Sequence, residues 1–535
     1  MVLCTLNAKY IHASLGLRYL LANMGPLRPH TVLREFTTMR KVQEMAQELL
    51  AVFGDSLPGQ AQVLGLGVYI WNVVQTTALV RELRVLRPAI KIVLGGPEVS
   101  HETDQQEIVQ LADHVITGWG DISFAALCQA LVHGPRPLMK VIAGEQPPLA
   151  QIALPYSEYN QDDLAHRTIY VEASRGCPFK CEFCLSSLDK TAWAFDADRF
   201  LAALADLYER GARRFKFVDR TFNLKIDASL RILQFFLDRL HPAEGAAAAA
   251  GPELFLHFEV IPDHLPQRLK DMIVRFPPGV LQFEIGIQSF NVEVQQRISR
   301  RQDNAQTEQN LRWLVGQSHA HLHTDLIFGL PGESLQSFAE GFDRLLSLQP
   351  HEIQLGMLKR LRGTPIARHT VAHGMVYEPS PPYTVRESAD VSAQDMLRVA
   401  RFARYWELFA NSGRFQSTLA LLIGRYPDGG LVAEDSGSAF FAFLAFSDWL
   451  WLRTGQVHLF SQEHLVDYAD EYLRTHRRIA AERVREALLA DYLHSGARAR
   501  PAALRQLLMQ RSTPVRPRGS ALTARQHTHR GATLV

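Results

Sequence analysis

Cys177, Cys181 and Cys184, in the run Cys177-Pro-Phe-Lys-Cys181-Glu-Phe-Cys184, are the residues whose type and spacing point most directly to chemistry. Three thiolates in a Cys-x3-Cys-x2-Cys loop bind three irons of a four-iron cluster and leave the fourth without a protein ligand. An open iron is a place where a small molecule can bind and receive an electron. The flanks suit such a loop: 169–173 reads as a strand, 174–176 as the turn out of it, and aromatic Phe183 precedes the last thiol. The alternatives are a zinc knuckle or a redox cysteine pair. Zinc wants a fourth nearby Cys or His, and none follows Cys184 for a long stretch.

Composition agrees with an intracellular enzyme. Five cysteines in 535 residues cannot be a disulfide framework, since three share one loop. Cys4 and Cys128 stand alone and read as small buried residues. Fifty-seven basic against fifty-five acidic side chains leave a formal charge of +2, which gives no electrostatic case for nucleic acid. No long uncharged apolar run would span a bilayer, and the amino terminus lacks a basic segment followed by an apolar core and a cleavage site. The expectation is a soluble, cytoplasmic protein. Its length and 47% hydrophobic content suit two to four domains, each with a core.

The elements that must position the cysteines alternate strand and helix. Over 1–145, strands are expected at 2–6, 31–36, 63–69, 91–94 and 114–117, with helices near 14–23, 38–53 and 73–86 and a last one after Asp121. The segment 63–69 is too apolar for a surface strand and should be central. Such repetition predicts an α/β fold with a doubly wound parallel sheet, whose ligands sit beyond the carboxyl ends of the strands. Those ends carry Gly95-Gly96-Pro97 and Gly118-Trp119-Gly120-Asp121. Residues 146–166, with Pro147, Pro148 and Pro155, read as a linker. A second series over 167–365 has strands at 169–173, 214–219, 255–260, 281–287, 323–328 and 352–355. Residues 245–251, with five alanines in a row, read as a loop insertion. From 366 to 495 the long amphipathic runs 392–411, 439–454 and 462–492 predict a helical domain. The arginine-rich tail 496–535, without an acidic residue, is expected to be disordered.

The cysteine loop and its flanks resemble the signature of the radical S-adenosylmethionine (radical SAM) superfamily. The resemblance implies a partial (β/α)6 barrel over 167–365 and a [4Fe-4S] cluster on Cys177, Cys181 and Cys184. It also implies that SAM chelates the open iron and yields a 5′-deoxyadenosyl radical on reduction, the electron coming from a reductant such as flavodoxin or ferredoxin. The order of the first pieces resembles the cobalamin-binding domain that precedes many radical SAM domains. Its cofactor loops would be 7–14, 69–75, 95–98 and 118–121, which puts Asn7, Tyr69, Gly95, Gly96 and Gly118 at the cofactor. Glycines let backbone approach a flat corrin closely. The pattern Asp-x-His-x-x-Gly, which supplies a cobalt ligand in other cobalamin proteins, is absent from this region. His12 and His101 on these loops read as hydrogen-bonding residues rather than ligands.

Polar residues stand at the expected strand ends of the second series: Glu259, then Gln288-Ser289 after 281–287, Arg300 one helix later, and Asp325 in 323–328. This set resembles the oxygen-independent coproporphyrinogen oxidase and tRNA-modifying elongator branches of the superfamily. By that resemblance Glu259, Gln288, Arg300 and Asp325, with Ser289 beside Gln288 and Phe183 in the cluster loop, contact SAM. A guanidinium pairs with a carboxylate, and acidic and amide groups accept from ribose hydroxyls. Val218-Asp219-Arg220-Thr221-Phe222-Asn223 stands where the superfamily often has Gly-Gly-Glu, so Asp219 or Asn223 would take the methionyl amine; Asp219 reads equally well as a helix cap.

The whole order resembles a group in which an uncharacterised helical domain follows cobalamin-binding and radical SAM domains. The implied function is radical chemistry on an unactivated carbon, with cobalamin delivering a methyl group. The alternatives are a cobalamin-assisted rearrangement or cyclisation, and a non-catalytic cofactor-sensing protein. The aromatic stretch from Phe440 to Trp451 reads as packing rather than a substrate box.

Overall fold

The computed structural model describes residues 1–55, 61–240, 254–424, 437–496 and 500–509. The alanine-rich insertion lies outside the described residues, as do 497–499 and 510–535 of the basic tail. Against the expected disorder, Ala502–Leu504 and Arg505–Met509 of that tail are helical, anchored by buried Leu504 and by Asp467, which accepts from the Ala502 and Ala503 N–H groups. The chain divides into two compact units. The first comprises Met1–Phe258, Lys359–Ala367 and Glu378–Thr384; the second comprises Glu259–Leu358, Arg368–Tyr377 and Val385–Val535.

The first unit opens with β1 (Val2–Asn7), α1 (Leu15–Ala22), β2 (Val32–Thr37), α2 (Val42–Phe53), β3 (Val63–Gly67), α3 (Val73–Leu86) and β4 (Lys91–Gly95). It continues with α4 (Glu107–Leu111), β5 (His114–Thr117), α5 (Ser123–His133) and β6 (Val141–Ala143). All six strands are parallel, in the order β2-β1-β3-β4-β5-β6. Every residue of β1 and β3 is buried, which is why both read as unbroken apolar runs. Met45, Leu49, Leu79 and Leu83 from α2 and α3 cover one face. Leu17, Leu21, Phe124 and Leu131 from α1 and α5 cover the other. Cys4 and Cys128 are buried in these two cores, as expected. The strand order reverses between β1 and β3, and the crevice at their carboxyl ends is where a doubly wound sheet takes its ligand.

The segment 146–166 carries a short helix, α6 (Gln161–His166), started by a capping box between Asn160 and Asp163. Asp163 accepts from Arg18 at 2.8 Å. Arg18 also binds Glu35 at 2.8 Å, and Arg167 reaches Glu35 at 2.8 Å, so two arginines and two carboxylates are interred together. β7 (Ile169–Val171) follows, then the two-residue antiparallel pair β8 (Ser174–Arg175) and β9 (Trp193–Ala194), α7 (Ala197–Glu209), β10 (Arg214–Phe217), α8 (Ile226–Leu240) and β11 (Phe255–Val260). β10 lies parallel between β11 and β7.

In the second unit come α9 (Gln267–Ile273), β12 (Leu281–Gln288), α10 (Val292–Arg297), α11 (Asn304–Gln317), β13 (His321–Phe328), α12 (Leu335–Ser347) and β14 (Glu352–Met357). β13 lies parallel between β12 and β14. β12 alternates strictly: Leu281, Phe283, Ile285 and Ile287 are buried, while Gln282, Glu284, Gly286 and Gln288 are half-buried on the other face. Asn411 binds both the N–H and the carbonyl of Ile353 in β14, at 3.1 and 3.0 Å, and so satisfies a buried stretch of strand edge with a side chain.

The helical part contains the short hairpin β15 (Val376–Tyr377) and β16 (Val385–Glu387), then α13 (Ala393–Trp406), α14 (Gln416–Leu422), α15 (Ala439–Thr454), α16 (Gln462–Thr475) and α17 (Ala481–His494). The run expected over 462–492 is thus two helices. Arg478, with φ of 53°, and buried Ile479 turn the chain between them. Phe440, Phe443 and Phe446 of α15 are fully buried and pack on Phe402, Trp406 and Phe409, so the aromatic stretch is core.

Glu35 yields a prediction. Burial alone would raise its carboxyl, but Arg18, Asn7 and the Ser14 amide hold it below the usual carboxylate range. A carboxyl lowered on folding contributes stability above its unfolded pKa, about 4.3, and loses it as pH falls through the folded value. Arg18→Met leaves Glu35 and Asp163 buried without this partner and is expected to cost about 3–5 kcal/mol. Denaturant unfolding measures the loss. The acid limb of the thermal midpoint should flatten in the variant.

Candidate functional site

The cysteine loop is closed at its base by the β8–β9 pair. Within it the Cys184 N–H donates to the Cys181 carbonyl at 3.1 Å, and the Cys177 N–H to the Asp189 carbonyl at 3.2 Å. Cys177 is buried, whereas Cys181, Phe183 and Cys184 are half-buried. Burial, with the neighbouring thiols of Cys184 and Cys181, pushes the Cys177 thiol up to about 11. Among the described residues, no three His, Cys, Asp or Glu side chains could hold a single metal ion. Three neighbouring thiols on one short loop suit a polynuclear cluster, which takes one thiolate per iron.

The turn into this loop is fixed from two sides. Asp219 is buried, and its carboxylate accepts from the Ala173 N–H at 2.9 Å and the Ser174 hydroxyl at 2.5 Å. Burial pushes its carboxyl up to about 7 against those bonds. On the other side Arg175 donates to Glu172 at 2.7 Å and, through two nitrogens, to Asp121 at 2.8 and 3.0 Å. Its guanidinium lies over the rings of Tyr19 and Trp119, 4.4 and 4.9 Å from their centroids. Gly176 has φ of +85°, and a Cβ there would stand 2.2 Å from the Thr191 carbonyl oxygen. Only glycine lets β8 turn into the loop so close to its return.

Asp121 belongs to the glycine turn after β5, so Arg175 joins the cysteine loop to the wall of a cavity of about 340 Å³. That cavity lies at the carboxyl ends of β3, β4 and β5, lined among others by Tyr69, Gly95, Gly96, Gly118, Trp119 and Arg175. Gly96 has φ of +110°, and a Cβ on it would meet the Val68 carbonyl at 2.5 Å. Tyr69 stacks on Trp71, with centroids 4.4 Å apart and planes 9° from parallel. Asn72 is fully buried and holds this turn, accepting from the Tyr69 N–H at 2.8 Å and donating to the carbonyls of Leu6 and Gly67. Asn7 donates to the His12 carbonyl at 2.8 Å and to Glu35 at 2.9 Å, while Glu35 also accepts from the Ser14 N–H. Glu35 therefore shapes the loop from Asn7 to Ser14. The His12 ring is hydrogen-bonded to the Tyr170 hydroxyl at 2.7 Å. Asn223 is fully buried.

In the second unit, Gln288 has φ of 70° at a register shift in β12. Its amide folds back over Gly286, where a Cβ would lie 2.4 Å from Nε2. Arg300 donates to the Gly286 carbonyl and to Gln302, so Gln288 and Arg300 meet at this glycine. Asp325 is the cross-strand neighbour of Gly286, with His323 at 3.4 Å. Ser289 is buried, with its hydroxyl bound to Glu333 at 2.5 Å. Glu259, half-buried, stands near the end of β11. The roles of Glu35, Arg175 and Glu333 went unread in the sequence. The one local signal is a charged residue interrupting an apolar strand or adjoining the cysteine motif.

Residues 171–345 match the model of the radical SAM superfamily, and residues 371–516 match a protein family of unknown function, DUF4080. An uncharacterised methyltransferase of Pyrococcus horikoshii is 33% identical over 177 residues, which cover 28% of this chain and 38% of that protein. The cobalamin-dependent radical SAM methyltransferase TokK of Streptomyces tokunonensis is 23% identical over 59% of this chain and 49% of its own. The chain spans half or less of the length of the curated relatives it first matches. The solved structure of the radical SAM methyltransferase TsrM from Kitasatospora setae, with cobalamin and a [4Fe-4S] cluster bound, superposes with a TM-score of 0.55 at 15% identity. It covers 74% of this chain and 83% of that one. With the cysteine loop, the strand series and these likenesses together, residues 171–345 are a radical SAM domain in a chain that shares the fold of a cobalamin-binding radical SAM enzyme.

Proposed function

We propose that this chain is a cobalamin-dependent radical SAM enzyme that transfers a methyl group to an unactivated carbon. The observation that carries the reading is the Arg175 junction, which joins a three-cysteine loop to a glycine-walled cavity at the carboxyl ends of a doubly wound sheet. Cys177, Cys181 and Cys184 would hold a [4Fe-4S] cluster, which with SAM supplies the 5′-deoxyadenosyl radical; cobalamin supplies a methyl carrier. The loops at Asn7, Tyr69, Gly95, Gly96 and Gly118 would hold the cobalamin. The cavity has room for the flat aromatic end of its nucleotide tail rather than for a corrin, and glycines keep its walls open to close approach. Glu259, Gln288, Arg300 and Asp325 would bind SAM, and Asp219 acts from the back of the turn by fixing Ala173 and Ser174. A flavodoxin- or ferredoxin-type protein would deliver the electron. Among the described residues no helix is long and apolar enough to cross a membrane, which agrees with a cytoplasmic site of action.

The test is anaerobic reconstitution with iron, sulfide, SAM and cobalamin, followed by mass spectrometry of the nucleoside products. Parent protein is expected to form 5′-deoxyadenosine under strong reductant, and the variant with all three cysteines changed to Ala to form none. Turnover and cluster absorbance retained in that variant would defeat the assignment.

No histidine ligand to cobalt is expected, since the Asp-x-His-x-x-Gly pattern that supplies one in other cobalamin proteins is absent from the first domain. Bound cob(II)alamin should show no nitrogen hyperfine splitting from a protein ligand in its paramagnetic resonance spectrum. Clear splitting, or no binding of cobalamin, would reject this arrangement.

Gln288→Ala and Asp325→Ala should each weaken SAM binding by about 1–3 kcal/mol, the cost of an uncompensated polar partner in a partly dry site. The iron–sulfur spectrum should stay unchanged in both. Parent-like affinity would remove these residues from the SAM site, and loss of the cluster would assign them a structural role.

A further inference from the structure

Residues 359–367 and 378–384 belong with the first unit although they lie far along the chain from its sheet. They pair as a two-limbed arm. The Arg360 N–H donates to the Tyr383 carbonyl at 3.0 Å, the Glu378 N–H donates to the Thr384 carbonyl at 2.8 Å, and Lys359 bridges antiparallel to Thr384.

One end of the arm grips the turn that follows Gly95-Gly96. Glu98 is 4% exposed and accepts from the Tyr383 hydroxyl at 2.5 Å and from Arg362 Nε at 3.0 Å. Arg362 also donates to the Tyr383 hydroxyl oxygen at 2.9 Å. Burial and the Glu98 carboxylate push the Tyr383 hydroxyl up to about 12, so it remains a donor at neutral pH. Glu102, held at φ of 52°, accepts from Arg360 and Arg362, each at 3.1 Å. Gly363 has φ of +79°, and a Cβ on it would stand 2.3 Å from the His101 ring, so the arm presses on this turn as closely as backbone permits.

Three residues further along, the same arm touches the cysteine loop. The Ile366 N–H donates at 3.0 Å to the carbonyl of Glu182, the residue after Cys181. Both Ile366 and Glu182 are buried. The arm thus binds the glycine turn of the cavity and the cluster loop within the span from Arg360 to Ile366.

We propose that Glu98, Arg362 and Tyr383 are positioning residues, which lock this arm so that the cofactor turn at Gly95-Gly96 and the cysteine loop are held at one fixed separation. Its purpose rests on the function proposed above, because methyl transfer needs its two reaction centres pre-set to within about an ångström. Arg362 is the joint of the arm, since it engages Glu98, Glu102 and Tyr383 together. Loss of Arg362 leaves Glu98 buried with only the Tyr383 hydroxyl against it, and leaves Glu102 to Arg360 and the Gly363 N–H, so the arm keeps its limbs paired but loses its joint to the turn.

The test is amide hydrogen exchange, followed by mass spectrometry, on the full chain with its cluster reconstituted and without cobalamin. In Arg362→Met, peptides over 95–102 and over 178–186 are both expected to exchange several-fold faster than in the parent, with peptides over 281–288 unchanged. Arg362→Lys, which keeps one ionic contact, should restore part of the protection in both segments. A purely local role would loosen 95–102 and leave 178–186 at parental protection; that result, or no change in either, overturns the proposal. If Arg362→Met does not fold, Tyr383→Phe removes one hydrogen bond with almost no change of volume and is read by the same pair of segments. Failure to bind cobalamin would defeat the methyl-transfer reading and leave this exchange pattern intact, so the two outcomes are separable.

Discussion

A guanidinium held between the buried Asp121 and the half-buried Glu172 fixes the junction on which the candidate site depends. Arg175 is 12% exposed in its side chain, and its partners Asp121 and Glu172 are 8% and 12% exposed. Such a cluster recovers its desolvation cost only with good geometry and with its remaining donors satisfied. Here the fork of Asp121 takes two nitrogens, Glu172 takes the third, and Tyr19 and Trp119 flank the charge. A planar cation suits that arrangement, whereas an ammonium would fill neither the fork nor the stack. Because Arg175 is followed directly by Gly176 and Cys177, the orientation of the first thiol is inherited from contacts made in the wall of the cavity.

The two units solve different problems with parallel strands. In the first sheet β1 and β3 are buried on both faces, so chemistry is excluded from the strands and pushed to their ends, where Gly95, Gly96 and Gly118 keep the backbone bare. In β12 and β13 only one face is apolar. The other face carries Glu284, Gln288, His323 and Asp325 at alternate positions, so polar groups line the strands themselves. The first arrangement leaves a hole with apolar walls. The second presents a row of polar groups.

Much of this was legible in the residues. Unbroken apolar runs located β1, β3, β4 and β5, and the six strands after 167 stand within a few residues of their expected places. β6, β8 and β9 were not read, because two or three residues carry no periodicity and their pairing is decided by what lies beside them. The 462–492 run read as one helix because its amphipathic period continues through the break, while the turn is set by backbone at Arg478. The cysteine motif is local and therefore visible. The Arg362–Glu98 contact spans 264 residues, and an ion pair leaves no trace in composition or spacing when its halves lie that far apart.

Electrostatics also separates neighbours that look alike in sequence. Gln288 and Ser289 both stand at the end of β12, and either could offer a polar group. The Ser289 hydroxyl donates to Glu333 and accepts from the Asn291 N–H at 3.0 Å, so its proton is already spent. Glu333 is buried, and burial pushes its carboxyl up to about 7, with Oε2 lacking a hydrogen-bond partner among the described residues. A carboxyl in that state is a poor anion and a demanding neighbour, so it holds Ser289 in place. Gln288 has left-handed backbone at the register shift, which turns its amide away from the strand ladder and toward Arg300 above Gly286. Of the pair, Ser289 therefore anchors the turn to Glu333, and Gln288 is the residue whose amide stands with Arg300 on the polar face.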